Sequence, residues 1–154
     1  MKRGSALAAI AALALLVGSA GAAAMGSDDD SSSASSTSDD YVEAQRKIEA
    51  QDYAGALPIL ERILAAEPGN ADALNYMGYS HRKLGDSDTA LDYYLQALAS
   101  EPEHLGANEY LGELYLEMGD LPKAQERLAV LQRVCDGCEE EEELEEKIAA
   151  FQGS

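Results

Sequence analysis

Apolar residues return along most of this chain at intervals of three and four, and short polar turns interrupt them. The order is plainest from Ala71 onward. Leu74, Met77, Gly78 and His81 fall on one stripe, and Ala90, Leu91, Tyr94, Ala97 and Leu98 form a second. That spacing predicts two amphipathic helices, the second running over about 87–100. Between them stands Leu84-Gly85-Asp86, where glycine can take the left-handed backbone that ends a helix and aspartate can cap the next. Glu101-Pro102 stops the second helix, since proline donates no backbone hydrogen bond and holds its predecessor out of the helical region.

The same chemistry recurs at a shift of 34 residues. Asp52, Asp86 and Asp120 align, as do Ala56, Ala90 and Ala124, Gly78 and Gly112, Gly85 and Gly119, and Pro68 and Pro102. A period of that length marks a helical-hairpin solenoid. Small Gly78 and Ala90 sit where two helices would cross closely, and Tyr94 would fill the space toward the next hairpin.

Leu74, Met77-Gly78, His81, Gly85-Asp86, Ala90, Tyr94, Ala97-Leu98 and Pro102 resemble the tetratricopeptide-repeat (TPR) pattern, with His81 where that family usually has an aromatic. A unit at 105–138 keeps Leu111-Gly112, Tyr115, Gly119-Asp120, Ala124 and Leu128, but Asp136 replaces its closing proline. A unit at about 37–70 keeps Asp52-Tyr53, Ala56-Leu57, Leu60, Ile63-Leu64 and Pro68, while its first helix is degenerate and has Ala44 in place of glycine. The resemblance covers residues 41–138. It implies an all-α, right-handed superhelical stack of about three hairpins (37–70, 71–104, 105–138). Residues 139–151, with Leu144, Ile148 and Phe151 on one stripe, are expected to form a capping helix.

The N-terminal pattern is different. Lys2 and Arg3 precede an uncharged run from Ala6 to Val17, then small residues to Ala24. This is the layout of a secretory signal peptide over 1–24, with no cysteine nearby for a lipoprotein anchor. It predicts a periplasmic or secreted protein with no membrane insertion after cleavage. The rival is an uncleaved anchor. Residues 25–40, mostly Ser and Asp, have almost nothing to bury and are expected to be a disordered linker.

The formal net charge is −18 over 154 residues. Such a surface repels a nucleic-acid backbone, so DNA and RNA are excluded as expected partners. No phosphate loop, nucleophile elbow or metalloprotease motif is present, so no enzyme, cofactor or metal is expected.

In TPR proteins the first helix of each hairpin lines a concave binding surface. The resemblance therefore implies a partner-binding groove of Tyr41 and Gln45, then Asn75, Tyr79, Arg82 and Lys83, then Glu109, Glu113 and Leu116. Arg82 and Lys83 could take a carboxylate, and Glu109 and Glu113 a basic side chain. Equally, Arg82 could pair with Glu113 or Glu117 next door. The set of Lys and Asn residues with which some TPR domains clamp a chaperone C-terminus is not matched. His81 reads as a core residue.

Cys135 and Cys138 are the only cysteines. In an exported chain they are expected to form a disulfide that staples the entry to the cap. Thiol–disulfide exchange and metal binding are the alternatives. The function expected is thus a protein-protein interaction module, an exported adaptor or assembly factor that holds a protein or peptide. The alternative is a redox accessory protein using Cys135 and Cys138. Either a monomer or weak self-association through the first repeat fits the pattern.

Overall fold

The computed structural model describes residues 30–153, with side chains from Thr37 onward. The leader expected at 1–24 lies outside the described residues. Seven helices and no strand occur among the described residues: α1 (Asp30–Glu49), α2 (Tyr53–Ala66), α3 (Ala71–Lys83), α4 (Ser87–Ser100), α5 (Leu105–Glu117), α6 (Leu121–Val134) and α7 (Glu139–Gln152). They pair as hairpins α1/α2, α3/α4 and α5/α6, each packed on the next, and α7 closes the stack against α5 and α6. The architecture is an all-α helical repeat stack. No described helix is long and apolar enough to cross a membrane.

Each hairpin turns by the same device. The Asp86 N–H reaches back to the His81 carbonyl at 2.9 Å, and the Gly85 N–H to Arg82 at 3.0 Å. This is the paired bond set of a Schellman C-terminus, and it needs a left-handed residue between. Gly85 supplies that residue at φ +87° and Gly119 at +78°. The first hairpin makes the same bonds, from Asp52 to Lys47 and from Gln51 to Ile48, but its left-handed residue is Gln51 at φ +59°. Asp52, Asp86 and Asp120 then each cap the second helix by accepting a backbone N–H three residues on. One repeated pair of positions, Gly-Asp in the second and third hairpins and Gln51-Asp52 in the first, therefore ends one helix and starts the next.

Two glycines set how closely the helices approach. A Cβ on Gly78 would lie 2.7 Å from the Tyr94 ring, so the completely buried tyrosine packs directly on α3 backbone. At Gly112 the corresponding space is taken by Leu144 of α7, at 2.5 Å, rather than by Leu128 of its own hairpin. The cap is thus built into the main core, which gathers Tyr94, Leu111, Leu114, Leu131, Leu144 and Ile148. A second cluster of Ala44, Ala56, Leu60, Ile63 and Met77 joins the first two hairpins. Ala44 in the glycine position is fully buried, so the degenerate first helix still packs.

The structure departs from the sequence pattern in two places. Helix α1 begins at Asp30, so residues 30–40 of the segment expected as a linker are helical. Acidic residues are favoured near a helix N-terminus, and Asp40 accepts two bonds from Arg62 of α2, at 3.2 and 2.6 Å. Phe151, expected on the buried stripe of the cap, is 39 % exposed, while Leu144 and Ile148 of the same stripe are buried.

Candidate functional site

The first helices α1, α3 and α5, and the cap α7, present the same face in register. Residues 34 apart form three rows: Tyr41, Asn75, Glu109 and Glu143; Gln45, Tyr79, Glu113 and Lys147; Ile48, Arg82, Leu116 and Ala150. Every candidate groove residue read from the sequence except Lys83 lies in these rows, and Lys83 borders them. Their accessibility differs sharply from one end to the other.

Toward the N-terminal end the face is aromatic and half-buried. The Tyr41 ring stands 5.7 Å from Tyr76, whose hydroxyl accepts a bond from Gln45 Nε2 at 3.2 Å. Tyr79 packs against Tyr53 at 5.9 Å and Tyr110 at 4.8 Å, and the Lys83 ammonium lies 5.1 Å over the Tyr79 ring. Burial raises the Tyr41 and Tyr110 hydroxyls above the ordinary tyrosine range, so both stay neutral donors. Tyr76 and Tyr110 were not among the groove residues read from the sequence. Their 34-residue offset was the signal that could have found them.

Toward the C-terminal end the face is closed. Asn75, Glu109, Glu113 and Leu116 are 5, 4, 6 and 8 % exposed. Asn75 lies against Gly106 of α5, and the other three are covered by α7, which packs over α5 and brings Glu143 and Lys147 onto this face. Lys147 pairs with Glu113 and reaches Glu143 at 3.5 Å. Arg82 pairs with Glu113 and, at 2.9 Å, with Glu117. The reading of Arg82 as a partner of its neighbours is therefore the one observed. Glu109 and Glu113, expected to receive a partner's basic side chain, instead face Lys147 and Arg82 of the same chain. Burial, followed by the adjacent Glu143 carboxylate, raises the Glu109 carboxyl to about 8, with Lys147 opposing the shift. Glu109, Glu113 and Glu143 could together bind a cation, since their oxygens lie within 4.8 Å of one another. Lys147 already supplies positive charge there.

His81 is at the edge of the core, stacked on Tyr93 at 5.5 Å. His104, uninformative in the sequence, caps α5: its Nδ1 accepts the Ala107 N–H at 3.1 Å, and its Nε2 lies 3.0 Å from Asp72 Oδ1. Asn70 caps α3 in the same way 34 residues earlier, accepting the Ala73 N–H at 2.9 Å. Cys138 is the next member of that series at the start of α7, and no side-chain cap bond forms there. Cys135 lies beside it, Cα to Cα 5.6 Å, across the turn of Asp136 and Gly137.

A family model described as anaphase-promoting complex, cyclosome, subunit 3 matches residues 49–134, more than half of the chain. Several solved tetratricopeptide-repeat structures share the fold. The Yersinia enterocolitica type III secretion chaperone SycD, in complex with a peptide of the translocator YopD, superposes with a TM-score of 0.65 at 16 % identity, covering 75 % of this chain and 88 % of that one. The Sgt2 TPR domain from Aspergillus fumigatus gives 0.67 at 16 % identity, covering 76 and 77 %. The second TPR domain of human RPAP3, in complex with an HSP70 peptide, gives 0.67 at 14 %, covering 78 and 98 %. No curated protein matches by sequence.

Proposed function

This chain belongs to the tetratricopeptide-repeat family described as anaphase-promoting complex, cyclosome, subunit 3, and on that footing we propose that it is a non-enzymatic protein-interaction module, an exported adaptor or assembly factor. It holds a protein or peptide along the face shared by its first helices. The observation that carries this reading is the half-buried aromatic row of Tyr41, Tyr76, Tyr79 and Tyr110, with Lys83 over one ring. Aromatic side chains offer large contact area at low entropic cost, and their hydroxyls remain to orient a peptide backbone. The charged groups farther along are paired with one another, so the open recognition surface is Tyr41, Gln45, Tyr79 and Lys83. The SycD and RPAP3 domains of like fold are seen with peptides, which supports the same use here. Export rests on the leader pattern of residues 1–24. In an oxidising compartment Cys135 and Cys138 close the joint to α7 as a disulfide.

The test is affinity capture from a native envelope extract with residues 25–154, beside a Tyr79→Ala/Lys83→Glu variant whose helicity is checked by circular dichroism. A partner held by the parent and lost by the folded variant is the expected result. Equal retention by both would remove this face as the binding surface.

A further inference from the structure

Two open pockets lie at opposite ends of helices α5 and α7. The first, about 430 Å³, is bounded by Leu116 of α5 and by Ala150 and Phe151 of α7, with Arg82, Glu113, Glu117 and Lys147 around it. Those four charges are bound to one another: Arg82 to Glu113 and Glu117, Lys147 to Glu113. What this pocket offers a ligand is therefore apolar surface, and its volume falls within the range of about 300–1,000 Å³ usual for binding pockets.

The second pocket, about 360 Å³, sits where α5 and α7 begin. Four carboxylates line it: Asp72, Glu101, Glu103 and Glu140. His104 is occupied by Asp72 at 3.0 Å and Glu103 by Arg133 at 2.8 Å. Glu101 and Glu140 form no ion pair among the described residues, and no Lys or Arg lines the pocket. Its complement is a cationic side chain.

The two helices fix the spacing. Gly106 to Leu116 along α5, and Glu140 to Ala150 along α7, each span ten residues, or about 15 Å at the rise of an α-helix. The close packing of α7 on α5 leaves Glu109 and Glu113 almost fully buried between the two pockets, and a helix would need about ten residues to bridge them. An extended chain, at about 3.3 Å per residue, covers 15 Å in four to five residues.

We propose that the α5–α7 seam seats an extended partner segment with a large apolar side chain at the Leu116–Ala150–Phe151 end and Lys or Arg, four to five residues away, at the Glu101–Glu140 end. The inference deepens the groove reading and rests on it. It also adds a selectivity that the aromatic row alone does not give, because apolar segments flanked by carboxylates are refused at the acidic end.

The probes are fluorescently labelled synthetic peptides with Phe and a Lys pair separated by four small polar residues, made in both orders. Control peptides replace Phe with Ser, or both Lys with Glu. At least one order binds, and each control binds about tenfold weaker or worse. On the protein side, Ala150→Gln fills the apolar pocket and Glu101→Lys/Glu140→Lys reverses the acidic one. Each costs about tenfold in affinity for that peptide, and only the second abolishes the loss of binding with added salt. Glu101 and Ala150 are exposed and Glu140 is half-buried, and circular dichroism checks that each variant keeps its helicity. Binding that ignores the control substitutions or these variants, or no binding in either order, overturns the proposal. A natural partner that depends on Tyr79 and Lys83 but not on Ala150 or Glu140 overturns the seam and leaves the groove reading standing. A partner indifferent to all four positions removes both.

Discussion

Lys147 of α7 is paired with Glu113 of α5, one repeat length earlier in the chain. The same carboxylate is held by Arg82 of α3, so three successive first-helix positions meet at one buried group. Lys147 is 44 % exposed, so solvent screens its share of the interaction. Its replacement by Met should cost about 1 kcal/mol of stability rather than the several expected of a fully buried pair. A double-mutant cycle with Glu113→Gln, followed by urea unfolding, should return a coupling of that order. A coupling near zero would mean that the Lys147–Glu113 pair adds nothing to the hold of α7 on the stack.

Glu109 gives the fold a pH dependence of definite sign. Its carboxyl titrates at about 8 in the folded chain against a reference value of 4.5. Between those values the folded state binds the proton more tightly than the unfolded one. This contribution to stability is therefore complete below about pH 4.5 and is lost as pH rises through about 8. Above that, Glu109 and Glu143 are like charges across the α5–α7 contact. Urea midpoints by circular dichroism should fall between pH 6 and pH 9, and Glu109→Gln should remove most of the fall. An unchanged fall in that variant would assign it to other groups.

The hairpins were legible because their signals are local and repeated. Asp86 announces a cap and Gly85 a left-handed turn within three residues of where each acts, and both recur at 34. The rows Tyr41–Asn75–Glu109 and Gln45–Tyr79–Glu113 could be placed on one face by the same offset. Their burial could not, because it depends on how far α7 packs over α5. That is set by Leu144 entering the space above Gly112, a contact with no local signature in either segment. The capping role of His104 was within reach, since Asn70 precedes it by one repeat. An imidazole is a rare enough cap to be passed over beside Asp and Asn. The helical start of α1 in a Ser/Asp run was hidden because composition describes what a segment can bury, not that Asp40 would meet Arg62 across the hairpin.

Gln51 is the weak copy of a repeated part. It occupies the left-handed turn at φ +59° where the later hairpins use Gly85 and Gly119. A residue with a Cβ is strained there by about 1–2 kcal/mol, partly offset because glycine loses more chain entropy on folding. Gln51→Gly should therefore stabilise the chain by about 0.5–1 kcal/mol, and Gly85→Ala should destabilise it by a similar amount or more. Thermal unfolding of the two single variants decides the matter. A loss of stability in Gln51→Gly would show that the Gln51 side chain makes a contribution that outweighs its backbone strain.

The start of α7 separates two roles for Cys138. Asn70 and His104 each satisfy a backbone N–H at the start of a first helix, while Cys138, in the same repeat position, makes no such bond. A covalent tie to Cys135 would replace that cap by restricting the unfolded chain, worth about 2 kcal/mol for so short a loop in the entropic account. If the tie is present, thiol titration of the oxidised protein under denaturing conditions finds no free thiol, and dithiol reduction lowers the unfolding free energy by about that amount. Cys138 has extended backbone, φ −83° and ψ 166°, which suits a capping side chain. Cys135→Ala/Cys138→Asn should therefore be about 1 kcal/mol more stable than Cys135→Ala/Cys138→Ala. The asparagine variant would recover part of what the bridge contributes, by the means the two earlier helices use. Equal stability of the two variants would mean that the first turn of α7 is satisfied by water and that position 138 matters only through its sulfur.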